Sequence, residues 1–474
     1  MIKFGTGGWR AVIGDEFTKE NIRLVAKAVV LKIREEGCGS LPVVVGYDRR
    51  FLSREAMIWI GEVIASNGIT AYLVDSSAPT PLIMYYTMAH KLNYGMMVTA
   101  SHNPSLYNGI KIITEGGRDA NETVTADLEE KIRLLEDEDT TAPVRCEEDL
   151  RSEGMIVSIN PLDEYLDSIL EKIDVRAIRD AHLRIAIDPL YGVSIRSLNT
   201  IFATCRCDVE MLHSEHDTLF AGKLPAPDES TVRTLQNYVT DYGFDLGIAT
   251  DGDADRIGLI DDKGRYINAN EILSILYYYF LEYKGMHTPV VRNLATTCVL
   301  DKIAERYGEV CYEVPVGFKY ISAKMTETGA YIGGESSGGL TVMGHINGKD
   351  AIYAAALLAE TVAKTGKKLS ELLEEVRNLF GHYETVEYNM RFRADRREEL
   401  LRRIYEEREI PDLPLPVDRV SYLDGCKIWF KDGGWLLIRF SGTEPLLRIF
   451  CEMSAENRDT ADKICDSVRN CFGL

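Results

Sequence analysis

Apolar residues follow two different spacings along this chain, one typical of helices and one typical of buried strands. Between residues 19 and 36 they recur at Ile22, Val25, Val29 and Ile33, which places them on one face of a helix. Short apolar runs predict buried strands, and Ser53 is the predicted N-cap of a helix that reaches residue 67; the runs are PVVVGYD (42–48), ITAYLVD (69–75) and NYGMMVTA (93–100). Strands that alternate with helices indicate a mostly parallel sheet covered by helices on both faces.

The same alternation begins again twice and then changes character. A second set has strands in 184–192 and 244–261 with a helix near 228–242. A third set has helices at 270–284 and 349–364, with strands at TPVVRN, VCYEVPV and AYIGG between them. The last ~90 residues contain HYETVEYNMRF, GCKIWFK and GWLLIRFSG, which alternate like antiparallel strands, and helices near 396–408 and 456–471.

This pattern predicts an α/β protein with three α/β domains and a smaller C-terminal α+β domain. The predicted boundaries are 1–150, 151–265, 266–380 and 381–474. In an open parallel sheet, ligands bind beyond the carboxyl ends of the strands. Ser101 and Asp251 both follow predicted strands, so we expect them at such a position.

Composition narrows the class of function. The 474 residues carry a formal net charge of −20, which argues against nucleic acid or an acidic membrane surface as a partner. A phosphorylated small molecule remains compatible, because a local pocket of Arg and Lys can oppose the global charge. The ten scattered cysteines contain no CxxC pair and the N-terminus has no apolar signal region, so we expect reduced thiols and a cytoplasmic protein. No apolar run is long enough to span a membrane.

Two motifs follow the predicted strand ends. In VTASHNPSLYNG (98–109), Ser101 is a candidate nucleophile beside His102; the alternative is that Ser101-His102 only caps a helix and that Asn103-Pro104 is only a turn. In DGDADR (251–256), three carboxylates at alternate positions suit a hard cation such as Mg²⁺ or Ca²⁺, although a solvated acidic turn is the structural alternative. An EF-hand is excluded, because its glycine and glutamate positions hold Arg256 and Asp262 here.

Two further motifs suit a phosphorylated sugar. In GGESSGG (333–339), Glu335 and Ser337 are two residues apart and can face the same sugar hydroxyls, unless the segment is only a flexible loop. In RFSGTEPLLR (439–448), guanidinium and hydroxyl groups around a glycine resemble an anion cradle, the alternative being a strand-end turn with surface arginines. Together the four motifs favour phosphoryl transfer, a reaction that depends on positioning and charge neutralisation.

The order TASHNP, DGDADR, GESSG and RFSGTEP resembles the α-D-phosphohexomutases, from FGTGGWR (4–10) to the C-terminus. The resemblance implies three topologically similar α/β domains with mixed sheets and a fourth α+β domain around a central active-site cleft. It also implies a phosphosugar substrate, glucose 1,6-bisphosphate as intermediate and activator, and a monomer or homodimer. Because the bisphosphate must turn end for end, we expect the fourth domain to hinge, with weak contacts around the 365–385 connection.

The resemblance also assigns roles to individual residues. Ser101 would be the phosphoserine, and its phosphate would hold Mg²⁺ together with Asp251, Asp253 and Asp255. The residues expected near the transferring phosphoryl group are Arg10, His102, Lys111 and Arg256. Glu335 and Ser337 would grip the sugar hydroxyls. The residues expected to hold the second phosphate of the sugar are Arg439, Ser441, Gly442, Thr443 and Arg448.

Three features of the resemblance bear on the identity of the sugar. Gly339 stands where the bifunctional phosphomannomutase and phosphoglucosamine mutase branch has His. HINGKDA (345–351) resembles the glucose-preferring branch and supplies His345 to the substrate site and Lys349 as a candidate proton shuttle. VPVGFKY (314–320) has Phe318-Lys319 where the bifunctional branch has His, and its Gly317 and Lys319 are predicted to contact substrate. These features favour a phosphoglucomutase that interconverts glucose 1-phosphate and glucose 6-phosphate.

Other functions remain open from sequence. GGESSGG has one Glu where glucose-branch loops often have two, so a phosphomannomutase or a bifunctional enzyme remains an alternative. A Mg²⁺-dependent phosphatase or hexose bisphosphate synthase would use the same loops. A non-catalytic binding protein is less compatible, because all four motifs retain their chemical groups.

Overall fold

The computed structural model describes residues 2–5, 7–431, 433–440 and 446–474, and it divides into two compact units. The first unit comprises residues up to Ile272 together with Ser337–Glu371, and the second comprises Leu273–Ser336 and Leu372–Leu474. The predicted domain boundaries stay a prediction. Among the described helices, none has the length and apolar character needed to cross a membrane.

The first unit contains two mixed sheets with flanking helices. Its strands are β1 Phe4–Gly5, β2 Gly8–Val12, β3 Val43–Tyr47, β4 Ala71–Val74, β5 Tyr94–Val98, β6 Tyr107–Thr114, β7 Arg118–Asp119, β8 Ile156–Ile159, β9 Arg184–Asp188, β10 Asp208–Met211, β11 Leu246–Thr250, β12 Ile257–Ile260, β13 Tyr266–Ile267 and, from the later segment, Leu340–Val342. Its helices are α1 Lys19–Glu35, α2 Ser53–Ser66, α3 Thr80–Ala89, α4 Glu122–Asp137, α5 Glu147–Ser152, α6 Leu162–Leu170, α7 Val175–Ala181, α8 Ile195–Thr204, α9 Arg233–Tyr242 and, from the later segment, Ala351–Thr365.

The first sheet has the order β1-β2-β6-β5-β3-β4-β8, with β7 paired to β6. Strand β3 is parallel to β4 and β5, whereas β5 is antiparallel to β6. The second sheet has the order β10-β9-β11-β12-β13, with β9 parallel to β10 and β11. The prediction of mixed sheets within an α/β fold is confirmed. Strand β8 lies beyond residue 150, the predicted end of the first domain.

The predicted apolar face of the first helix is confirmed. Ile22, Val25, Val29 and Ile33 are all buried in α1, and Thr18 caps the helix by accepting a hydrogen bond from the Asn21 amide. The prediction that Ser53 is an N-cap is wrong. Helix α2 begins at Ser53 itself after Leu52, which has a left-handed φ of 63°, and the Ser53 hydroxyl donates to the buried Asp48 carboxylate instead.

The second unit contains a parallel sheet and an antiparallel sheet. The elements from Ala269 onward are α10 Ala269–Tyr278, β14 Val290–Asn293, α11 Val299–Tyr307, β15 Cys311–Val314, α12 Phe318–Thr328, β16 Ile332–Gly334, β17 (the Leu340–Val342 strand of the first unit), α13 (its Ala351–Thr365 helix), α14 Leu369–Phe380, β18 Tyr383–Arg391, α15 Arg397–Leu401, β19 Val417–Ser421, β20 Cys426–Phe430, β21 Trp435–Phe440, β22 Leu446–Ser454 and α16 Asp459–Phe472. Strand β14 is parallel to β15 and β16. The C-terminal sheet has the order β18-β22-β21-β20-β19 and is antiparallel, as predicted.

Candidate active site

Ser101 lies in the loop that joins β5 to β6, just beyond the end of β5 as the sequence predicted. Its backbone has a left-handed φ of 52°, and only 1% of the residue is exposed. The Ser101 amide donates to Thr99 Oγ1 at 2.8 Å, and Ser101 Oγ donates to Asp251 Oδ2 at 2.7 Å. The hydroxyl is therefore held in a fixed direction, toward the acidic loop.

The three aspartates lie between β11 and β12 and are fully buried. Asp251 Oδ1 accepts the backbone amides of Asp255 and Arg256, both at 3.0 Å, so the loop curls around the first carboxylate. One oxygen from each of Asp251, Asp253 and Asp255 lies within 4.8 Å of the others. Within the described residues, Asp253 Oδ1 and Asp255 Oδ1 are buried without a hydrogen-bond partner. Clustered buried oxygens of this kind fit a hard divalent cation such as Mg²⁺.

Lys111 supplies positive charge to this loop from strand β6. Its Nζ contacts Asp253 Oδ2 and Asp255 Oδ2, each at 2.7 Å. Burial works against the ammonium, but the two carboxylates outweigh it and raise the pKa of Lys111 above its ordinary value. Lys349 Nζ also lies 3.2 Å from Asp255 Oδ2. Thr80, which the sequence did not indicate, donates to Asp253 Oδ2 at 2.6 Å.

Arg10, His102 and Arg256 surround the same position. Arg10 lies on β2 and donates to the side chain of Asn103 at 2.6 Å. His102 Nδ1 is 3.4 Å from Ser101 Oγ. Burial, followed by the nearby Arg256 and Arg10 charges, lowers the pKa of His102 to about 2, so its ring is neutral near pH 7. The structure thus brings together the five residues predicted at the phosphoryl group, which are Ser101, Arg10, His102, Lys111 and Arg256, and the predicted proton shuttle Lys349.

His345 lies in the interior of the first unit. Its side chain is fully buried, and Nε2 is 2.6 Å from Asp350 Oδ2, which also accepts the Tyr165 hydroxyl at 2.8 Å. Asp350 caps α13 through the amides of the first turn of that helix. His345 therefore contacts Asp350, which caps the start of α13 and directly follows Lys349 in the sequence. Nearby, Gly338, which follows Ser337, accepts a hydrogen bond from the Ile257 amide.

The second unit holds another group of predicted residues. Glu335 follows β16, and the side-chain Nδ2 of Asn293, at the end of the neighbouring β14, donates to Glu335 Oε2 at 3.5 Å. Gly317 has a φ of 137°, which favours glycine, and it immediately precedes α12. Lys319 Nζ lies 5.3 Å from the ring centroid of Tyr320.

Two arginines face each other in the C-terminal sheet. Arg439 on β21 is directly opposite Arg448 on β22, and like charges in such a pair destabilise a sheet. Asp424 Oδ2 accepts a hydrogen bond from Arg439 Nε at 3.0 Å, and its negative charge offsets part of the repulsion between the two arginines. Arg448 Nε is buried without a hydrogen-bond partner in the described part of the chain. An anion such as phosphate fits this pair. Ser441, Gly442 and Thr443 lie outside the described residues.

Comparisons with known proteins cover almost the whole chain. Four family models described as phosphoglucomutase/phosphomannomutase match it: alpha/beta/alpha domain I at residues 1–139, domain II at 163–264, domain III at 268–380 and the C-terminal domain at 396–470.

Individual relatives are of similar length. A phosphoglucomutase/phosphomannomutase of Thermococcus kodakarensis is 31% identical over 96% of this chain and 95% of its own. A phosphoglucosamine mutase of Acetivibrio thermocellus is 29% identical over 97% and 96%. The crystal structure of a candidate phosphomannomutase from Thermus thermophilus has a TM-score of 0.85, 27% identity and coverage of 100% and 99%.

Proposed function

The chain belongs to the phosphoglucomutase/phosphomannomutase family of phosphohexomutases, which are intramolecular phosphotransferases, and we propose from this premise that it interconverts glucose 1-phosphate and glucose 6-phosphate. The single observation that carries the proposed mechanism is the buried Ser101 hydroxyl, held 2.7 Å from Asp251 among Lys111, Arg10 and Arg256. A fixed hydroxyl in a water-poor site, with cationic side chains nearby to neutralise the phosphoryl oxygens, is what a phosphoryl carrier requires.

The proposed reaction consists of two phosphoryl transfers, each of which moves a different phosphoryl group. In the first transfer, a sugar oxygen forms a bond to phosphorus as the bond from phosphorus to Ser101 Oγ breaks. The sugar hydroxyl gives its proton to a base, and the released Ser101 oxygen takes up a proton to become a hydroxyl again. In the second, Ser101 Oγ forms a bond to the phosphorus of the other phosphoryl group as the bond from that phosphorus to the sugar oxygen breaks. The Ser101 proton has an acceptor in the Asp251 carboxylate 2.7 Å away, and the released sugar oxygen takes back the proton that the base holds. Lys349 is the proposed proton carrier on the sugar side.

The surrounding residues are proposed to position charge. Asp251, Asp253, Asp255 and the Ser101 phosphate would hold Mg²⁺, which when bound neutralises charge on the phosphoryl oxygens. His102 is neutral because its pKa is lowered, so it would orient the transferring phosphoryl group without adding charge to the site. In the second unit, Arg439 and Arg448 would hold the distal phosphate, and Gly317, Lys319 and Glu335 would contact the sugar. Ser337 and His345 are also proposed substrate-site residues, and His345 would act from its buried position beside Asp350.

The choice of glucose rests on Gly339, on the HINGKDA segment and on Phe318-Lys319, which favour the glucose branch. Glucosamine phosphate is the second candidate sugar, because a relative 29% identical to the chain is named a phosphoglucosamine mutase. Mannose phosphate is the third, because the Thermococcus relative carries both the phosphoglucomutase and the phosphomannomutase names.

The test compares glucose 1-phosphate, mannose 1-phosphate and glucosamine 1-phosphate, each with Mg²⁺ and a trace of the matching bisphosphate. Turnover of glucose 1-phosphate well above the other two is expected, and faster turnover of either competitor would overturn the glucose assignment. Release of inorganic phosphate without isomerisation would indicate a phosphatase.

The phosphoserine proposal is tested with two serines of one loop. Ser101→Ala is expected to abolish turnover and to remove the added mass of one phosphoryl group from the 98–109 peptide. Ser105→Ala, in the same loop, is the matched control and should retain both. A phosphorylated, active Ser101→Ala variant would disprove the assignment.

A further inference from the structure

A buried arginine holds the Ser101 loop from behind. Arg50 is 3% exposed and follows strand β3. Its NH2 group donates to the carbonyl oxygens of Ser101 at 2.6 Å and Asn103 at 2.7 Å, and its NH1 group donates to those of Pro104 at 2.9 Å and Tyr107 at 3.0 Å. One planar guanidinium thus binds four carbonyl groups, three in the Ser101 loop and one at the first residue of β6.

Asp48 and Thr99 extend this arrangement to the Ser101 amide. Asp48 Oδ2 lies 3.3 Å from Arg50 Nε and accepts the Thr99 hydroxyl at 2.6 Å. Thr99 Oγ1 in turn accepts the Ser101 amide at 2.8 Å. We refer to Asp48, Arg50 and Thr99 as the loop clamp. All three are buried, so water does not compete for these hydrogen bonds.

The loop needs such support because of its own backbone. Ser101 has a left-handed φ of 52°, a backbone conformation that is unfavourable for a residue with a side chain. Without external contacts the loop would relax, and Ser101 Oγ would turn away from Asp251. Phe220 packs beneath the guanidinium, with its ring centroid 4.9 Å from the Arg50 Cζ, and so limits tilting of the guanidinium plane.

We propose that Arg50 is a positioning residue for phosphoryl transfer, which holds the Ser101 loop in the conformation that directs Oγ toward Asp251. The inference rests on the proposed function of Ser101. Lysine cannot replace this arginine, because one compact ammonium cannot reproduce the flat fork that spans four carbonyl oxygens. The carbonyl contacts do not use the Ser101 hydroxyl, so the clamp holds the loop both before and after phosphorylation.

The first experiment compares Arg50→Lys with Arg54→Lys, a control at an exposed arginine near the start of α2. For Arg50→Lys we expect kcat for glucose 1-phosphate to fall about 100-fold with little change in KM, because a small displacement of a reacting group has an effect of that size. Amide hydrogen exchange in the 99–107 segment should become faster. Wild-type kcat together with wild-type exchange would overturn the proposal.

A second pair of variants decides the question if Arg50→Lys does not fold. Thr99→Val removes the hydroxyl that links Asp48 to the Ser101 amide, whereas Thr99→Ser keeps it. Loss of kcat in Thr99→Val and its recovery in Thr99→Ser are expected. Equal activity in the two variants would contradict the loop clamp.

Failure of the proposed function would look different. A wild-type protein that never accepts phosphate on Ser101 and never turns over sugar phosphate would contradict the mutase proposal. Hydrogen exchange of the 99–107 segment needs no substrate, so it would still test whether Arg50 and Thr99 hold the loop.

Discussion

At the scale of single residues, the candidate site is a set of opposite charges removed from water. Asp251, Asp253 and Asp255 are at most 1% exposed, and Lys111 lies against two of them. A buried charge that loses its partner is strongly destabilising, whereas a surface ion pair contributes little. The ion pairs around Lys111 should therefore affect stability far more than those at the surface.

Replacing Lys111 with Met tests this charge balance. Without divalent cations, Lys111→Met should lower the free energy of unfolding by about 3–5 kcal/mol, because two buried carboxylates lose their shared cation. Saturating Mg²⁺ should restore part of the loss by supplying positive charge at the same oxygens. Urea denaturation followed by tryptophan fluorescence, in EDTA and in Mg²⁺, measures both effects.

A partly exposed lysine with two acidic partners is the matched control. Lys131 pairs with Glu35 and Asp127, and Lys131→Met should change stability by about 1 kcal/mol or less with no response to Mg²⁺. If the two variants lost equal stability in EDTA, the buried ion pairs would not carry the energy that we assign to them.

Residues close in sequence were predictable at this scale, and residues joined only by the fold were not. The aspartates of DGDADR lie within five positions, so their clustering follows from the loop itself. Arg50 binds carbonyl groups 51–57 residues away, and Asp350 meets Tyr165 across 185 residues. The pair of arginines in the YDRR segment, 47–50, gave no local sign of which one would be buried.

At the scale of elements, strand positions were predictable because their apolar runs must be buried. The ends of elements were less predictable, because the terminal side chain can hydrogen-bond to a group that is distant in sequence. Ser53 illustrates this. Its hydroxyl donates a hydrogen bond to Asp48 of the loop clamp, and Leu52 is the N-cap residue instead. Helix α9 likewise begins at Arg233, later than predicted, because Thr231 bonds Ala226 and Asp228 in a preceding turn.

The turn between β19 and β20 joins two predicted substrate-binding segments of the second unit. Asp424 Oδ2 accepts Arg439 Nε from the end of β21 and the Val316 amide next to Gly317, both at 3.0 Å. One carboxylate oxygen therefore sets the direction of the proposed phosphate-binding guanidinium and the position of a sugar-contacting loop.

Asp424→Ala should weaken binding of the sugar phosphate. We expect KM for glucose 1-phosphate to rise about tenfold, equal to about 1.4 kcal/mol, since a hydrogen bond to a charged group contributes energy of this order. Steady-state kinetics measures the change. Asp424→Asn keeps an oxygen acceptor and should show a smaller rise.

The exposed Asp418 on β19 provides the control for this turn. Asp418→Ala should leave KM unchanged, because its side chain is on the solvent side of the strand. A KM for Asp424→Ala that matched the Asp418→Ala value would remove Asp424 from the binding arrangement.

At the scale of the whole molecule, close packing within the second unit is evidence against the expected hinge around residues 365–385. Helix α14 is packed at that connection, with the Phe380 ring 5.8 Å from that of Tyr278 and Glu375 accepting the Tyr278 hydroxyl. Leu294 and Ala295, from the third predicted domain, form one buried cluster with Trp435 and Leu437 from the fourth. Any motion of the C-terminal sheet relative to β14 would have to open this cluster.

Lys427 reports on whether the cluster opens. It is 1% exposed, and its Nζ contacts the Leu294 carbonyl at 2.7 Å and Glu313 Oε2 at 2.5 Å. Burial, followed by the nearby Arg292 charge, lowers the pKa of Lys427 from its ordinary 10.5 to about 8, even though Glu313 favours the charged form. Below pH 8 the folded and unfolded chains both carry this proton, and the buried charge then destabilises the fold.

Between pH 8 and 10.5 the unfolded chain still holds the Lys427 proton while the folded chain has lost it. The stability of the wild type should therefore rise relative to Lys427→Met by about 1.4 kcal/mol per pH unit across this interval. Comparing the unfolding midpoints of the two proteins cancels most other titrating groups. Lys431→Met, at an exposed lysine of the same hairpin, should show no such slope.

A second measurement tests the same cluster. Competitive acetylation of Lys427 should give an apparent pKa near 8, because a closed cluster keeps the amine out of water. A flat stability difference together with an apparent pKa near 10.5 would mean that the amine reaches water. The hinge would then lie at the cluster formed by Leu294, Ala295, Trp435 and Leu437.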